Sequence, residues 1–303
     1  MIAVKILKGT MLVIGGSAST KLGKKVSNEL DCEFASVEKK TFPDGEIYVR
    51  ISEKVEGEKA LVVQSTCYPP NKNYMELFLL LDALNDLNAE KISAFIPYFG
   101  YARQDKRFEP GEAVSFKTVA KLIESAGADE IYVMDIHGEK IESGPKVFQI
   151  PAFNLTAAPI LSKYVAKNYS LEKPVVLAPD EGAKEWARKA GKSIEADWDF
   201  MVKKRHGAKK VEITPRELDV KNRDVIILDD IISTGGTMTE AIKILKENGA
   251  KTVFACCTHP VLSDNALEKI KNAGAREVIG TDTIPSEVSK VSVAPVIAES
   301  YRQ

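Results

Sequence analysis

The sequence predicts an α/β protein with two similar doubly wound parallel-sheet domains. Short apolar runs alternate along the 303 residues with longer amphipathic stretches, an order typical of parallel strands joined by crossover helices. A segment before one strand, Ala126–Ile131, returns in similar form as Ala273–Val278 before another. This repeat indicates two related halves that meet near Pro151. We therefore expect domains at residues 1–150 and 151–292, followed by a terminal segment at 293–303.

The predicted strands are apolar runs, because both faces of a parallel sheet are covered. In chain order they are Met11–Gly15, Ala60–Gln64, Ile92–Pro97, Glu130–Asp135, Val175–Ala178, Val225–Leu228, Thr252–Cys257 and Glu277–Thr281. The amphipathic stretches between them predict helices at Tyr74–Leu87, Ser115–Ser125, Ala157–Val165, Ala183–Ala190, Thr237–Asn248 and Asn265–Ala273. Two further runs, Trp198–Val202 and Val211–Thr214, predict a hairpin. The terminal segment predicts a helix that packs back on the first domain.

Composition excludes several classes of protein. The formal net charge is -1, so no overall basic field favours nucleic acid. The longest apolar runs are far too short to cross a bilayer, so we expect no membrane partner. The four cysteines lack metal-type spacing, and the adjacent Cys256 and Cys257 lie in an apolar run. They are interpreted as core residues of a cytoplasmic protein.

The most informative segment runs from Val225 to Glu240. Two carboxylates, Asp229 and Asp230, stand at the end of a buried strand, where ligands bind in open α/β sheets. A loop rich in glycine and hydroxyl groups follows and leads into a helix. Its backbone N–H groups, its hydroxyls and the positive end of the helix favour a phosphate group. The residues of this loop are Ser233, Thr234, Gly235, Gly236 and Thr237.

A purely structural interpretation of the loop is a capping box, with Thr237 capping the helix and Glu240 three residues on. It explains the start of the helix but not the acid pair. Two adjacent carboxylates repel each other and lose hydration unless a cation or sugar hydroxyls engage them. No lysine follows the glycines, so this is not a Walker A loop.

The segment Val225–Thr237 closely resembles the phosphoribosyl-diphosphate motif of type I phosphoribosyltransferase-fold proteins. The resemblance implies that Asp229 and Asp230 hold the ribose hydroxyls and that the loop wraps the 5-phosphate. Many members have a further acid where this chain has Ser233.

Other segments, in order along the chain, resemble the ribose-phosphate diphosphokinase family. They are Phe42–Glu46, Gln64–Thr66, Pro97–Asp105, Asp135–His137, Pro179–Gly182 and Lys203–Arg205. The resemblance implies transfer of the β,γ-diphosphoryl group of ATP to the C1 hydroxyl of ribose 5-phosphate, with Mg²⁺ as cofactor. It also implies a homo-oligomer of at least two chains, in which the Phe42–Glu46 turn completes a neighbour's ATP site.

Site residues carried over from the resemblance fall into three groups. The ATP-binding residues are Phe42, Asp44, Gly45, Glu46, Arg103, Gln104 and Asp105. The metal ligands are His137 and Asp180. The catalytic residues are Lys203 and Arg205, which lie between the two hairpin runs and form the tip of a flap over the substrates; Arg205 also contributes to ribose 5-phosphate binding.

The side chains of these residues are chemically suited to those roles, but their chemistry alone does not assign the roles. Phe42 can stack on adenine, and Arg103 offers a planar fork for phosphate oxygens. Both segments also fit exposed polar turns, and the Lys203–Arg205 segment fits an exposed basic turn. Magnesium prefers oxygen ligands, so a lone histidine is more often structural and His137 rests on the resemblance, whereas Asp180 is the better candidate from chemistry alone and would hold a second magnesium.

Two other functions remain open at this point. A phosphoribosyltransferase would share the Asp229–Thr237 site but would have no need for an adenine-binding turn. A catalytically silent paralogue would be expected to lose loop or metal residues, whereas Lys203, Arg205, His137 and Asp180 are all present.

Overall fold

The computed structural model describes residues 11–138, 146–205, 211–215 and 218–302, without the side chains of 203–205 and 211–215. The chain forms two compact units. The first comprises Met1–Leu155 together with Ala294–Gln303, and the second comprises Thr156–Val293. No helix in the described ranges is long and apolar enough to span a bilayer.

The first unit is built on a six-stranded parallel sheet in the order β2-β1-β5-β6-β7-β8. A separate antiparallel hairpin consists of β3 and β4. The elements are β1 (Met11–Gly15), α1 (Thr20–Leu30), β2 (Glu33–Ala35), β3 (Val37–Thr41), β4 (Ile47–Ile51), β5 (Lys59–Val63), α2 (Pro70–Asp86), β6 (Lys91–Ile96), α3 (Ser115–Ser125), β7 (Glu130–Met134) and β8 (Ala152–Leu155).

The second unit contains a seven-stranded sheet in the order β11-β10-β9-β12-β13-β14-β15. Its elements are α4 (Ala158–Asn168), β9 (Val175–Ala178), α5 (Lys184–Ser193), β10 (Asp197–Arg205), β11 (Val211–Pro215), β12 (Asp224–Ile232), α6 (Gly236–Glu247), β13 (Thr252–Pro260), α7 (Ala266–Asn272), β14 (Glu277–Thr281) and β15 (Ser289–Val291). All registered pairs in this sheet are parallel except β10 with β11. The last helix, α8 (Ala294–Arg302), belongs to the first unit.

The helices pack through apolar residues at helical spacing. Leu77, Leu80, Leu81 and Leu84 of α2 are fully buried, and these positions form one stripe on the helix. The central strands are buried on both faces, as in Val225–Leu228. This burial explains why continuous apolar runs identified the strands. The predicted fold of two parallel-sheet domains is confirmed, and the repeated segments precede β7 and β14.

Six elements were not predicted: α1, β2, β3, β4, β8 and β15. The strands among them are short and only partly buried, and β3, for example, reads VEKKT. Helix α1 has glycine at position 23, where a Cβ would meet the Phe34 ring at 3.0 Å. This helix is therefore held by close packing against its own unit, which its local sequence does not reveal.

Candidate active site

The carboxyl edge between β9 and β12 is the point where the strand order of the second unit reverses. From β9 the chain continues to β10 on one side, and β12 then joins on the other side. Registered pairing of β12 with β9 ends at Ile227↔Leu177, so the last residues of β12 extend beyond it. Such a reversal leaves a crevice at the carboxyl ends of the strands, which is where open α/β sheets bind ligands.

The acid pair lies on the part of β12 that borders this crevice. Asp229 and Asp230 were expected to follow a strand ending at Leu228, but β12 continues to Ile232 and contains both. The longer strand arises because β13 pairs with it as far as Ile232↔Pro260. The Asp230 N–H donates to Asp229 Oδ1 at 3.0 Å, and the Ile231 N–H donates to Asp230 Oδ1 at 2.7 Å.

Without a ligand, negative charge on this pair of carboxyls is unfavourable in the folded protein. Burial raises the pKa of Asp229 well above its usual value, and the neighbouring carboxyls of Asp230 and Asp180 raise it further. Asp230 is only 8% exposed. Three carboxyl groups therefore influence one another at this edge, and a cation or a set of hydroxyl donors would relieve their repulsion.

The phosphate loop (residues 233–237) leads directly into α6. Gly235 is the N-cap, with φ of +75°, and no side chain caps the helix. The capping-box interpretation of Thr237 is therefore wrong, because Thr237 lies inside the first turn. Thr234, Gly236 and Thr237 are exposed and Ser233 is half-buried. The first turn of α6 thus presents backbone N–H groups without a side-chain cap, an arrangement that suits an anion.

Asp180 follows β9 in an exposed turn beside the same edge. Its Oδ1 accepts a hydrogen bond from the Ala183 N–H at 3.3 Å, just before α5 begins. A Cβ at Gly182 would come within 3.0 Å of that oxygen, so glycine leaves room for the carboxylate. The exposed carboxylate at this position is accessible to a cation.

The predicted hairpin is present as β10 and β11, but Lys203 and Arg205 do not form its tip. Both residues lie within β10, in register with Ile213 and Val211 of β11. The strand continues because antiparallel pairing with β11 extends it past Val202. The side chains of Lys203 and Arg205 lie outside the described part of the chain.

In the first unit, the segment from Phe42 to Glu46 is the tip of the β3–β4 hairpin. The Phe42 N–H donates to the Glu46 carbonyl at 2.7 Å, and the Gly45 N–H donates to the Phe42 carbonyl at 2.9 Å. Asp44 Oδ1 accepts from the Glu46 N–H at 3.1 Å. The Phe42 side chain is 46% exposed and meets Tyr48 edge-on, with ring centroids 6.4 Å apart. An exposed aromatic ring at an ordered hairpin tip is able to stack on a ligand.

The segment after β6 carries Arg103, Gln104 and Asp105. Arg103 and Asp105 are exposed, and Gln104 Nε2 donates to the Lys106 carbonyl at 3.2 Å. A Cβ at Gly138 would lie 3.7 Å from Asp105 Oδ2, so the structure brings Asp105 close to the exposed His137–Gly138 turn.

Two residues that hold this segment were not predicted to act there. Thr66 Oγ1 accepts from the Gly100 N–H and donates to the Tyr98 carbonyl, both at 2.8 Å. Tyr74 donates from its hydroxyl to the Gly100 carbonyl at 2.6 Å. Thr66 had a signal in the sequence, because it follows the end of a strand, but Tyr74 had none. Among the described ranges, no group of three metal-ligating side chains is present.

Comparisons with known proteins cover nearly all of the chain. Residues 11–127 match the N-terminal domain of ribose phosphate pyrophosphokinase, and residues 145–294 match the phosphoribosyl transferase domain. The chain is 46% identical to the ribose-phosphate pyrophosphokinase of Methanothermobacter thermautotrophicus, over 95% of this chain and 99% of that protein. It is 44% identical to the corresponding protein of Methanopyrus kandleri, over 96% and 98%. The crystal structure of phosphoribosylpyrophosphate synthetase from Mycobacterium smegmatis superposes with a TM-score of 0.83 at 36% identity, covering 97% of this chain and 98% of that one.

Proposed function

The chain belongs to the ribose-phosphate pyrophosphokinase family, and from that premise we propose which of its residues bind the substrates and promote the transfer. The enzyme transfers the β,γ-diphosphoryl group of ATP to the C1 hydroxyl of ribose 5-phosphate and releases AMP. Its product, 5-phospho-α-D-ribose 1-diphosphate, serves nucleotide biosynthesis.

Ribose 5-phosphate binds at the carboxyl edge of β12 in this proposal. The carboxylates of Asp229 and Asp230 accept hydrogen bonds from the ribose 2- and 3-hydroxyls. The phosphate loop receives the 5-phosphate on its N–H groups and on the hydroxyls of Ser233, Thr234 and Thr237. The observation that carries this assignment is the acid pair of the half-buried Asp229 and the buried Asp230 next to an uncapped helix start, because sugar hydroxyls and a phosphate satisfy both at once.

ATP binds to the first unit in this proposal. Phe42 stacks on the adenine ring, and Asp44, Gly45 and Glu46 contact the base or ribose from the same hairpin tip. Arg103, Gln104 and Asp105 bind from the second segment, with Arg103 directed at phosphate oxygens. Support comes from the exposure of Phe42 and Arg103 and from the hydrogen bonds of Thr66 and Tyr74 that fix the second segment.

Magnesium is the proposed cofactor, with His137 as the protein ligand of the ion that binds with the ATP phosphates and Asp180 as the protein ligand of a second ion. Mg²⁺ commonly takes one or two protein ligands and completes its shell with phosphates and water, so the absence of a three-residue cluster in the described ranges fits. The mutual repulsion of Asp180, Asp229 and Asp230 also suits a nearby cation. When bound, magnesium neutralises charge on the triphosphate.

Transfer follows from the in-line approach of the C1 hydroxyl to the β-phosphorus. Catalysis of this kind depends on positioning and on neutralising charge, with little covalent participation by the protein. Lys203 and Arg205 are proposed to stabilise the negative charge that develops on the β-phosphoryl group and on the departing AMP, and Arg205 also contacts ribose 5-phosphate.

Lys203→Ala is expected to lower kcat by at least ~100-fold, the scale found when one preorganised donor is removed from a transition state. Initial rates of AMP formation at saturating substrates measure the change. Lys221→Ala, an exposed lysine of the same unit, is the control and should turn over normally. A Lys203→Ala enzyme with near-normal kcat would remove Lys203 from the mechanism.

The reaction itself is tested by phosphorus NMR of the purified chain with ATP, Mg²⁺ and ribose 5-phosphate. The expected signals are those of a C1 diphosphate ester and AMP in equal amounts. If the chain instead attaches ribose from the diphosphate ester to a free base, and forms no AMP from ATP, it is a phosphoribosyltransferase.

A cytoplasmic homo-oligomer is the proposed form of the enzyme, with the Phe42–Glu46 turn completing the ATP site of a neighbouring copy. The support is the position of that turn at an exposed hairpin tip. Sedimentation of the purified chain measures the assembly, and Phe42→Ala is expected to weaken ATP binding while the assembly persists. A monomer with full activity would contradict the proposal.

A further inference from the structure

The segment from the last residue of β13 to the first residue of α7, residues 260–266, is called here the supporting turn. Leu262, Asp264 and Asn265 all have positive φ, at 51°, 52° and 58°. Aspartate and asparagine tolerate this left-handed region, but leucine adopts it at a steric cost. Strained backbone of this kind persists where the surroundings fix it, and it clusters at functional sites.

The supporting turn contacts the phosphate loop at two places and the residue before the loop at a third. The Leu262 N–H donates to the carbonyl of Ile232, the residue before the loop, at 3.0 Å. The hydroxyl oxygens of Ser263 and Ser233 are 3.3 Å apart. A Cβ at Gly235 would come within 3.0 Å of the Ala266 Cβ. The loop therefore rests on the supporting turn through a backbone bond, a hydroxyl pair and a close packing contact.

The base of the supporting turn is held by a buried network. His259 Nδ1 lies 2.9 Å from Thr283 Oγ1, which donates to the Thr258 carbonyl at 2.8 Å. Thr281 Oγ1 donates to the same carbonyl at 2.7 Å. The exposed fractions of His259 and Thr283 are 1% and 0%. The supporting turn thus starts from a position that is fixed by pairing with β12 and by this contact with the segment after β14.

We propose that Ser263 is a positioning residue for the ribose 5-phosphate site, an inference that rests on the proposed function. A serine hydroxyl donates one hydrogen and accepts others. When Ser263 donates to Ser233 Oγ, the Ser233 hydrogen is left to point at a phosphate oxygen. The two bonds then strengthen each other, as hydrogen bonds in a chain do. Ser263 touches no substrate in this arrangement and acts only through Ser233.

The test measures ribose 5-phosphate binding by calorimetry without ATP, followed by steady-state kinetics. Ser263→Ala is expected to raise the Kd and KM for ribose 5-phosphate by about 3- to 10-fold, the effect of one lost hydrogen bond. We expect kcat and the KM for ATP to stay within about 2-fold, because neither depends on the orientation of Ser233 once the sugar is bound. Ser263→Thr keeps the hydroxyl and should bind within about 2-fold of the wild type.

Ser286→Ala is the matched control. It removes a serine pair in the same unit, where the oxygens of Ser286 and Ser289 are 2.9 Å apart. The control should lose similar thermal stability and keep the wild-type Kd. The positioning role is overturned if Ser263→Ala keeps the wild-type Kd, if Ser286→Ala weakens binding equally, or if Ser263→Thr is as weak as Ser263→Ala. Absence of ribose 5-phosphate binding by the wild type would overturn the proposed function, and this role with it.

Discussion

At the scale of single residues, the adjacent Asp229 and Asp230 have the clearest need for a ligand. Burial opposes charge on Asp229, and the carboxyls of Asp230 and Asp180 add repulsion, so its pKa is raised well above the usual value. A chain selected for stability alone would place apolar side chains there, since β12 is otherwise buried. The acids lower the stability of the ligand-free protein and become favourable when sugar hydroxyls and a cation engage them.

Asp229→Asn is expected to stabilise the ligand-free protein while abolishing ribose 5-phosphate binding. Because the folded-state pKa of Asp229 lies above its unfolded value, its contribution to stability is present at low pH and is lost as the pH rises through the folded pKa. The gain from the substitution should therefore be larger near pH 8, at about 1–2 kcal/mol, than near pH 5. Urea unfolding at both pH values in EDTA measures it.

Glu247→Gln provides the control for that experiment, because Glu247 is an exposed carboxylate on α6 of the same unit. Its stability should change little at either pH. A destabilised Asp229→Asn protein, or an equal gain in the control, would contradict the account of repulsion at Asp229.

Residues of the site could be predicted from the sequence when their partners lie close to them along the chain. The acid pair and the phosphate loop are contiguous, so their composition alone indicated a phosphorylated ligand. Ser263 was not predicted, because its partner Ser233 is 30 residues away and a lone serine carries no pattern. The Thr66–Gly100 bond joins residues 34 apart and was missed for the same reason.

At the scale of elements, the start of α6 depends on two adjacent glycines with different roles. Gly235 has φ of +75° and lies against Ala266, whereas Gly236 has ordinary helical geometry and only a distant neighbour, Thr234 Oγ1 at 3.9 Å. The sequence shows two equivalent glycines, and only the backbone reveals which one is required by its conformation.

Gly235→Ala is expected to destabilise the second unit by about 2 kcal/mol or more, since it combines a left-handed backbone with a 3.0 Å approach to Ala266. Gly236→Ala is the matched control and should be neutral or slightly stabilising, because alanine favours a helix. Urea unfolding of both variants without substrates measures the difference. Equal stability of the two variants would show that the conformation of Gly235 is not constrained.

The same reasoning explains which elements the sequence predicted. Central strands such as β9 and β13 are buried on both faces and appear as apolar runs. The β3–β4 hairpin lies outside the main sheet and β8 is an edge strand, so all three strands are only partly buried and none appears as a fully buried apolar run. The predicted position of Lys203 at the tip of the hairpin was wrong for a related reason. Cross-strand pairing with β11, and not local composition, extends β10 over this residue.

At the scale of the whole molecule, the first unit includes helix α8, which follows the second unit in the sequence. Helix α8 packs against α1, and Tyr301 reaches the sheet of that unit. The Tyr301 hydroxyl is 3.2 Å from Ser93 Oγ, and its ring lies 5.7 Å from that of Tyr132. Burial raises the pKa of Tyr301, as expected for a phenol enclosed by these contacts. Folding of the unit that carries Phe42 and Arg103 therefore depends on a helix that lies more than 150 residues away along the chain.

Tyr301→Ala should lower the stability of the first unit by about 2–3 kcal/mol, because a half-buried ring is lost from between α8 and the sheet. Tyr301→Phe keeps the ring and loses one hydrogen bond, so about 0.5–1 kcal/mol is expected. Hydrogen exchange distinguishes a local effect from a global one: amides of β6 and β7 should lose protection in Tyr301→Ala, while those of β12 and β13 keep it. Equal loss in both sheets would mean that the units do not unfold separately, and no loss in either would mean that α8 contributes little to the first unit.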